Sequence, residues 1–170
     1  MRRRVRTAQG FTLVELMVTI AVAAILGLLV VPDLVSTVDA SKTSVLVNQF
    51  SQDVAWARNQ AVTTQQPVRM LLGPGPQCVW QVQTASYQNG QPVWTVQDAH
   101  SMTGAQVAAQ FPNAKCPALP SGTALTVNFN TQGFLDTAVP TITVSDAHGQ
   151  TWTLQVLASG TVLLNADTAS

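Results

Sequence analysis

The sequence predicts an α+β fold, a long N-terminal helix packed on an antiparallel β-sheet head. Three observations carry this reading. Phe11 to Val31 is an apolar run, Ser44 to Gln65 contains neither Gly nor Pro and repeats its apolar residues at helical spacing, and from Pro67 onward short strand-like segments alternate with turn residues. The 170 residues suffice for one domain with an additional segment at one end. Only 9% of the chain is charged, against roughly 25% in an average soluble domain, so part of it is expected to meet lipid.

Residues 1–10 form a basic leader. Arg2, Arg3, Arg4 and Arg6 are four of the eight basic residues in the chain, and no acid lies among them. From residue 11 onward four basic residues (Lys42, Arg58, Arg69, Lys115) face eight acidic ones. Nucleic-acid affinity depends on clustered Lys and Arg, so DNA binding is disfavoured. The polar surface must be built from neutral residues, among them 20 Thr and 17 Gln.

Residues 11–31 are expected to span a membrane. At 1.5 Å per residue the run reaches roughly 31 Å, about the thickness of a bilayer hydrocarbon core. The Arg cluster places the N-terminus in the cytoplasm and all that follows Val31 outside. An ordinary secretory signal would have a shorter core followed by small residues at a cleavage site, and would not hold Glu15. A carboxylate in lipid needs a partner or must reach the interface.

Gly10-Phe11-Thr12-Leu13-Val14-Glu15, after a short basic leader and before an apolar helix, resembles the class III signal of type IV pilins and type II secretion pseudopilins. The resemblance implies that a membrane prepilin peptidase cuts between Gly10 and Phe11 and methylates the new Phe11 amine. It implies that the helix first anchors the subunit in the inner membrane, where the assembly platform receives it, and then packs in the core of a helical filament. Glu15 matches the glutamate thought to pair with the N-terminal amine of a neighbouring subunit. The physics agrees, because a buried carboxylate is tolerable beside a cation and costly alone. Pro32 also matches the pilin pattern. It lacks an N–H and clashes with the preceding turn, so it is expected to kink or locally melt the helix.

Residues 32–66 are predicted to continue the helix in amphipathic form. Val47, Phe50, Val54, Ala57 and Ala61 recur at spacings of three and four, one face of a helix. Gln66-Pro67 stops it. Trp56 and Arg58 lie off this stripe and are expected to cover the sheet edge or face solvent rather than bind a ligand.

Residues 67–170 read as a β-rich head. Strands are predicted at Val68 to Leu72, Cys78 to Thr84, the run ending at Val96, Ala124 to Asn130, Thr141 to Ser145, Thr151 to Leu157 and Thr161 to Leu164. Asn89-Gly90 predicts a type I′ hairpin turn. Gly73-Pro74-Gly75-Pro76 reads as a rigid turn, its prolines lacking the N–H groups that would cradle a phosphate. Ser101 to Gly122 reads as a long loop with a short helix over 105–110. Cys78 and Cys116 would most simply form one bridge in an oxidising compartment, and would be two buried thiols in a reducing one.

Within the pilin-like subunits the chain most resembles the GspH/FimT family of minor pilins and pseudopilins, through Asn128 to Phe134 and Gly149 to Leu164. Family members that bind DNA carry basic residues near a glycine of the last strands. Here Thr161 follows Gly160 and no Lys or Arg follows Lys115. The resemblance therefore implies a filament subunit, with a DNA-binding minor pilin for natural transformation as the alternative.

Chemistry is otherwise sparse. His100 and His148 belong to no metal-ligand spacing, and His148 reads as a turn residue. Ser145, His148 and Asp98 lack any nucleophile elbow. Asp33, Asp39 and Asp53 are too dispersed for a calcium loop, although Asp136 could help hold Ca²⁺. No enzymatic activity and no cofactor are expected. Trp80, Tyr87, Trp94 and Trp152 are read as core or interface aromatics.

Overall fold

The computed structural model describes residues 11–73, 77–116 and 124–167, and of 28–36 the backbone alone. The chain divides into two units, Met1–Thr37 and Val38–Ser170.

Helix α1 covers Leu13–Thr64, 52 residues. Its backbone stays helical through Pro32, so the expected local melting does not occur. Proline removes a single N–H, and a long helix propagates past one lost bond more readily than it restarts. Several hydroxyls that could compete with the helix bond back to the carbonyl four residues earlier instead, among them Thr43 to Asp39 at 3.0 Å and Thr64 to Gln60 at 2.7 Å. The helix ends where Gln65 turns to φ 53° and Pro67 follows.

In the second unit Val47, Phe50, Val54, Ala57 and Ala61 are all buried, so the predicted stripe is the packed face of the helix. Leu46, Thr43 and Asp53 widen it.

Where one sheet was expected there are two. The first holds β1 (Val68–Leu72), β2 (Trp80–Gln88), β3 (Gln91–Val96) and β4 (Leu125–Phe129) in the order β3-β2-β1-β4. The second holds β5 (Ile142–Ser145), β6 (Thr151–Val156) and β7 (Val162–Asp167) in the order β5-β6-β7. All pairings are antiparallel. The register sets Met70 opposite both Val82 and Val127, and Leu154 opposite Leu164. The irregular stretch after β4 ends in Val139-Pro140, and proline there cannot extend a ladder, so the two sheets stay separate.

The sheets share one core. Phe129, Met70, Val68, Val82 and Val127 from the first and Leu154 from the second are fully buried together with Leu46, Val47 and Val54 of α1. Each such residue contributes roughly 1.5–3 kcal/mol by leaving water. The β2–β3 turn places Asn89 at φ 52° and Gly90 at φ 76°, the two left-handed residues of a type I′ turn.

Between β3 and β4 lie a 3-10 turn at Asp98–His100 and α2 at Gly104–Gln110. Thr103 caps α2 reciprocally with Gln106: the Gln106 N–H donates to Thr103 Oγ1 at 3.3 Å, and the Thr103 N–H donates to Gln106 Oε1 at 2.8 Å. Cys78 and Cys116 are joined in a disulfide with Cα atoms 5.1 Å apart, tying the approach to β2 to the segment beyond α2.

Candidate assembly site

The start of α1 is built by Thr12. Its Oγ1 accepts from the Glu15 N–H at 3.3 Å, and its carbonyl accepts from the Leu16 N–H at 3.2 Å. Glu15 therefore stands third in the first turn, where the positive end of the helix dipole favours a carboxylate. The Thr12-Leu13-Val14-Glu15 spacing is the capping pattern, a local signal present in the sequence beside the processing motif. Among the described residues Glu15 makes no ion pair. Gly10 lies outside the described residues, as does the side chain of Pro32.

Every residue from 11 to 27 is exposed, Phe11 at 80%, and all are uncharged except Glu15. Among the described residues no helix is long and apolar enough to cross a membrane. The last four residues of the expected span, 28–31, have side chains outside that description.

In the second unit α1 is held by two aspartates on one side, about four turns apart. Asp53 Oδ2 accepts from Trp80 Nε1–H at 2.9 Å on β2, and its Oδ1 lies 2.9 Å from His100 Nδ1. An ionised carboxylate only accepts, so this contact takes the form of His100 carrying its proton on Nδ1. Trp56, one turn further along α1, stacks on the His100 ring at 3.9 Å between centroids and 17° between planes. Phe50 meets Trp80 edge-on at 5.3 Å.

The second aspartate, Asp39, accepts at Oδ2 from Asn113 Nδ2 at 2.9 Å and meets His148 Nε2 at 3.2 Å. The bond from Asn113 holds its carboxyl below the ordinary value. Desolvation opposes this, and His148 and Lys42 reinforce it. His148 is presented by the β5–β6 turn, which Asp146 builds by accepting the His148 and Gln150 N–H groups at 2.8 and 2.9 Å. Both histidines, read from sequence as isolated, are thus partnered with α1. The sequence signal for this was the pair of aspartates on the same side as the apolar stripe.

Arg58, expected to cover the sheet edge or face solvent, is half-buried against two turns instead. With Val62 its stem fills the space that side chains at two turns would need: a Cβ at Gly133 would lie 2.7 Å from Val62 Cγ2 and 3.2 Å from Arg58 Cγ, and one at Gly160 would lie 2.6 Å from Arg58 Cδ. Both glycines have positive φ, 81° and 76°, so two independent demands exclude other residues there. Arg69 lies over the Trp94 ring at 4.0 Å and bonds Gln83 at 2.7 Å. Trp80 and Trp152 are buried in the core, whereas Tyr87 is exposed. Among the described residues no group of three or more His, Cys, Asp or Glu side chains could hold a metal ion, Asp136 included.

Comparison with known families agrees with this architecture. Residues 46–160 match the model for type II transport protein GspH, and residues 5–31 match the prokaryotic N-terminal methylation motif. No curated protein and no solved structure gives a significant match. The first match takes in the packed half of α1, both sheets up to the β6–β7 turn and the Arg58, Gly133 and Gly160 cluster; the second takes in Gly10, Phe11 and Glu15. The chain therefore belongs to the type II transport protein GspH family and is a pilin-type subunit bearing an N-terminal methylation motif.

Proposed function

We propose that this chain is a minor pilin or pseudopilin that acts in initiating or tipping a type IV pilus or a type II secretion pseudopilus. Prepilin peptidase cuts between Gly10 and Phe11 and methylates Phe11. The exposed apolar helix then serves first as an inner-membrane anchor and afterwards as part of the filament core, with the head outside the cytoplasm. Glu15 pairs with the N-terminal amine of a neighbouring subunit and sets the axial register. Pro32 marks the point where the helix leaves the anchor. The role is structural, without catalysis.

The observation that carries this reading is the helix surface from 11 to 27, entirely exposed and apolar but for Thr12, Thr19 and one carboxylate in the first turn. A surface of that kind needs either lipid or other subunits to cover it. A lone carboxylate within it needs a cation supplied from outside the chain.

Deleting the gene and quantifying filament protein sheared from the cell surface tests the role. Loss of sheared pilin, restored by the intact gene and not by a Gly10 variant blocked in processing, supports pilus initiation. Unchanged pilin with impaired release of exoproteins assigns the subunit to the secretion pseudopilus. Glu15→Ala is expected to insert and be cleaved yet fail to co-assemble, and normal assembly of that variant would remove the pairing role. The DNA-binding alternative draws no support from the head, where Arg69 lies over Trp94 and the Arg58 stem packs against the turns at Gly133 and Gly160.

A further inference from the structure

The two sheets have four outer strands, β3 and β4 in the first and β5 and β7 in the second. An outer strand offers unpaired N–H and C=O groups, and proteins guard such edges with proline, charge, shortness or a covering segment. Three of the four are guarded. Pro92 lies on β3 opposite Tyr87, next to the Gln88–Gln91 pair that closes the hairpin, so the N–H it lacks would have faced outward. β4 is flanked by Leu135, which bridges Phe129, and by Asp136, whose N–H donates to the Asn128 carbonyl at 3.1 Å. β5 has only four residues, and Lys115 exchanges two 2.8 Å backbone hydrogen bonds with Ser145.

β7 has none of these devices. Its six residues contain no proline and no charge before Asp167, and among the described residues nothing pairs with its outer side. The Leu157 N–H donates to the Thr161 carbonyl at 2.9 Å, and from there bonded and non-bonded pairs alternate along β6 and β7. Leu163 and Asn165 are thereby bonded to β6, while Val162, Leu164 and Ala166 turn their N–H and C=O groups outward. These three stand opposite the buried Val156, Leu154 and Trp152, so their side chains share the apolar face of the sheet. Leu164 is nevertheless 39% exposed. Outward backbone donors and acceptors thus lie along one line with the exposed side chains of Leu164 and Ala166, while Val162 is partly buried against the core.

We propose that β7 is a docking edge on which a different subunit of the same assembly adds an extended segment as a fourth strand of this sheet. The inference rests on the assembly reading above. Adding one strand along six residues covers far less than the about 1,200 Å² of a stable free interface. The partner must therefore be held nearby already, as subunits with packed N-terminal helices are. β7 against the β7 of a second copy is a two-fold contact, whereas subunits stacked along one axis meet through unlike surfaces. Between copies of this chain such a contact would bring β7 against one of the three guarded edges. The occupant is accordingly a non-identical pilin-type subunit with an unguarded extended segment.

The test uses the full chain in its own cells. A photo-crosslinking residue in place of Leu164 is expected to capture a different subunit that itself carries the N-terminal methylation motif, through an extended segment. Leu164→Pro removes one outward N–H and spares the bonds of Leu163 and Asn165 to β6. It is expected to be processed and folded while its recovery in the assembled fraction falls about tenfold. If that variant does not fold, Leu164→Lys charges the edge without touching the backbone and is expected to lower recovery likewise. Crosslinking to a second copy of this chain, crosslinking to no subunit, or wild-type recovery of a folded edge variant overturns the inference while the assembly reading stands. A wild-type chain that is neither processed nor recovered with other subunits overturns both.

Discussion

The two halves of α1 are one helix with opposite surroundings. From 11 to 27 every residue is exposed and the single charge is unpaired within the described chain, whereas from 38 to 64 an apolar stripe is buried and two aspartates are each bonded to partners on other elements. Helical hydrogen bonds satisfy the backbone equally in both, so the difference lies in the side chains alone. The first half carries apolar residues on every side, interrupted only by Thr12, Glu15 and Thr19, and can be covered from any direction by lipid or by other helices. The second is apolar on one side only and must be covered by its own head. One segment therefore carries both the contacts that fold the head and, on the reading proposed above, the surface that assembles the subunit.

Substitutions in the two halves should separate these roles. Phe50→Ala removes a buried ring packed edge-on against Trp80 and is expected to destabilise the head by about 3–5 kcal/mol. Ile20→Ala in the exposed half should change head stability by less than about 0.5 kcal/mol while weakening assembly. Urea unfolding followed by tryptophan fluorescence measures both, and equal effects would erase the distinction.

Replacing Cys78 and Cys116 together by Ala is expected to cost about 2–5 kcal/mol, seen as a Tm of the variant below that of the oxidised wild type. Reduction of the wild type should reproduce most of that loss. Asp53→Ala should cost about 1–3 kcal/mol, because the indole N–H of Trp80 is left buried without an acceptor. The same variant should remove the partner of His100 Nδ1 while leaving the ring stacked on Trp56, visible as a shift of its NMR signals.

The smallest effect concerns acid. Asp39 is held below its usual value of 3.8, so its ionised form is favoured by folding. The stability this confers is present above about pH 4 and is lost as pH falls further, through the folded value. Asp39→Asn should flatten that part of the pH dependence of the urea midpoint. A variant with an unchanged acid limb would show that the contact with Asn113 contributes nothing.

The elements with local causes were legible. The stripe from Val47 to Ala61, the stop at Pro67, the left-handed pair Asn89-Gly90 and the strands on either side of it each follow from residue types within a few positions of one another. Of the site, the motif itself was legible, not what its residues do. Gly10, Phe11 and Glu15 lie within one six-residue motif, which the methylation-motif match covers, and the family match covers Asn128 to Phe134 and the second stretch as far as Gly160. At Pro32 the local rule allowed either a kink or a melted turn, and the backbone stays helical through it.

By itself, then, the sequence determined which segments are helix or strand, where the chain turns, and that its N-terminal run must be covered by something other than its own head. Tertiary structure alone decided that the strands divide between two sheets, that Asp53 meets His100 and Asp39 meets His148, that Arg58 fills the space left by Gly133 and Gly160, and that β7 is the edge without a guard. The reason is one of range. Period and turn preference act over a few residues, whereas these pairings join residues tens of positions apart, and which of many compatible partners meet is set by how the whole core closes.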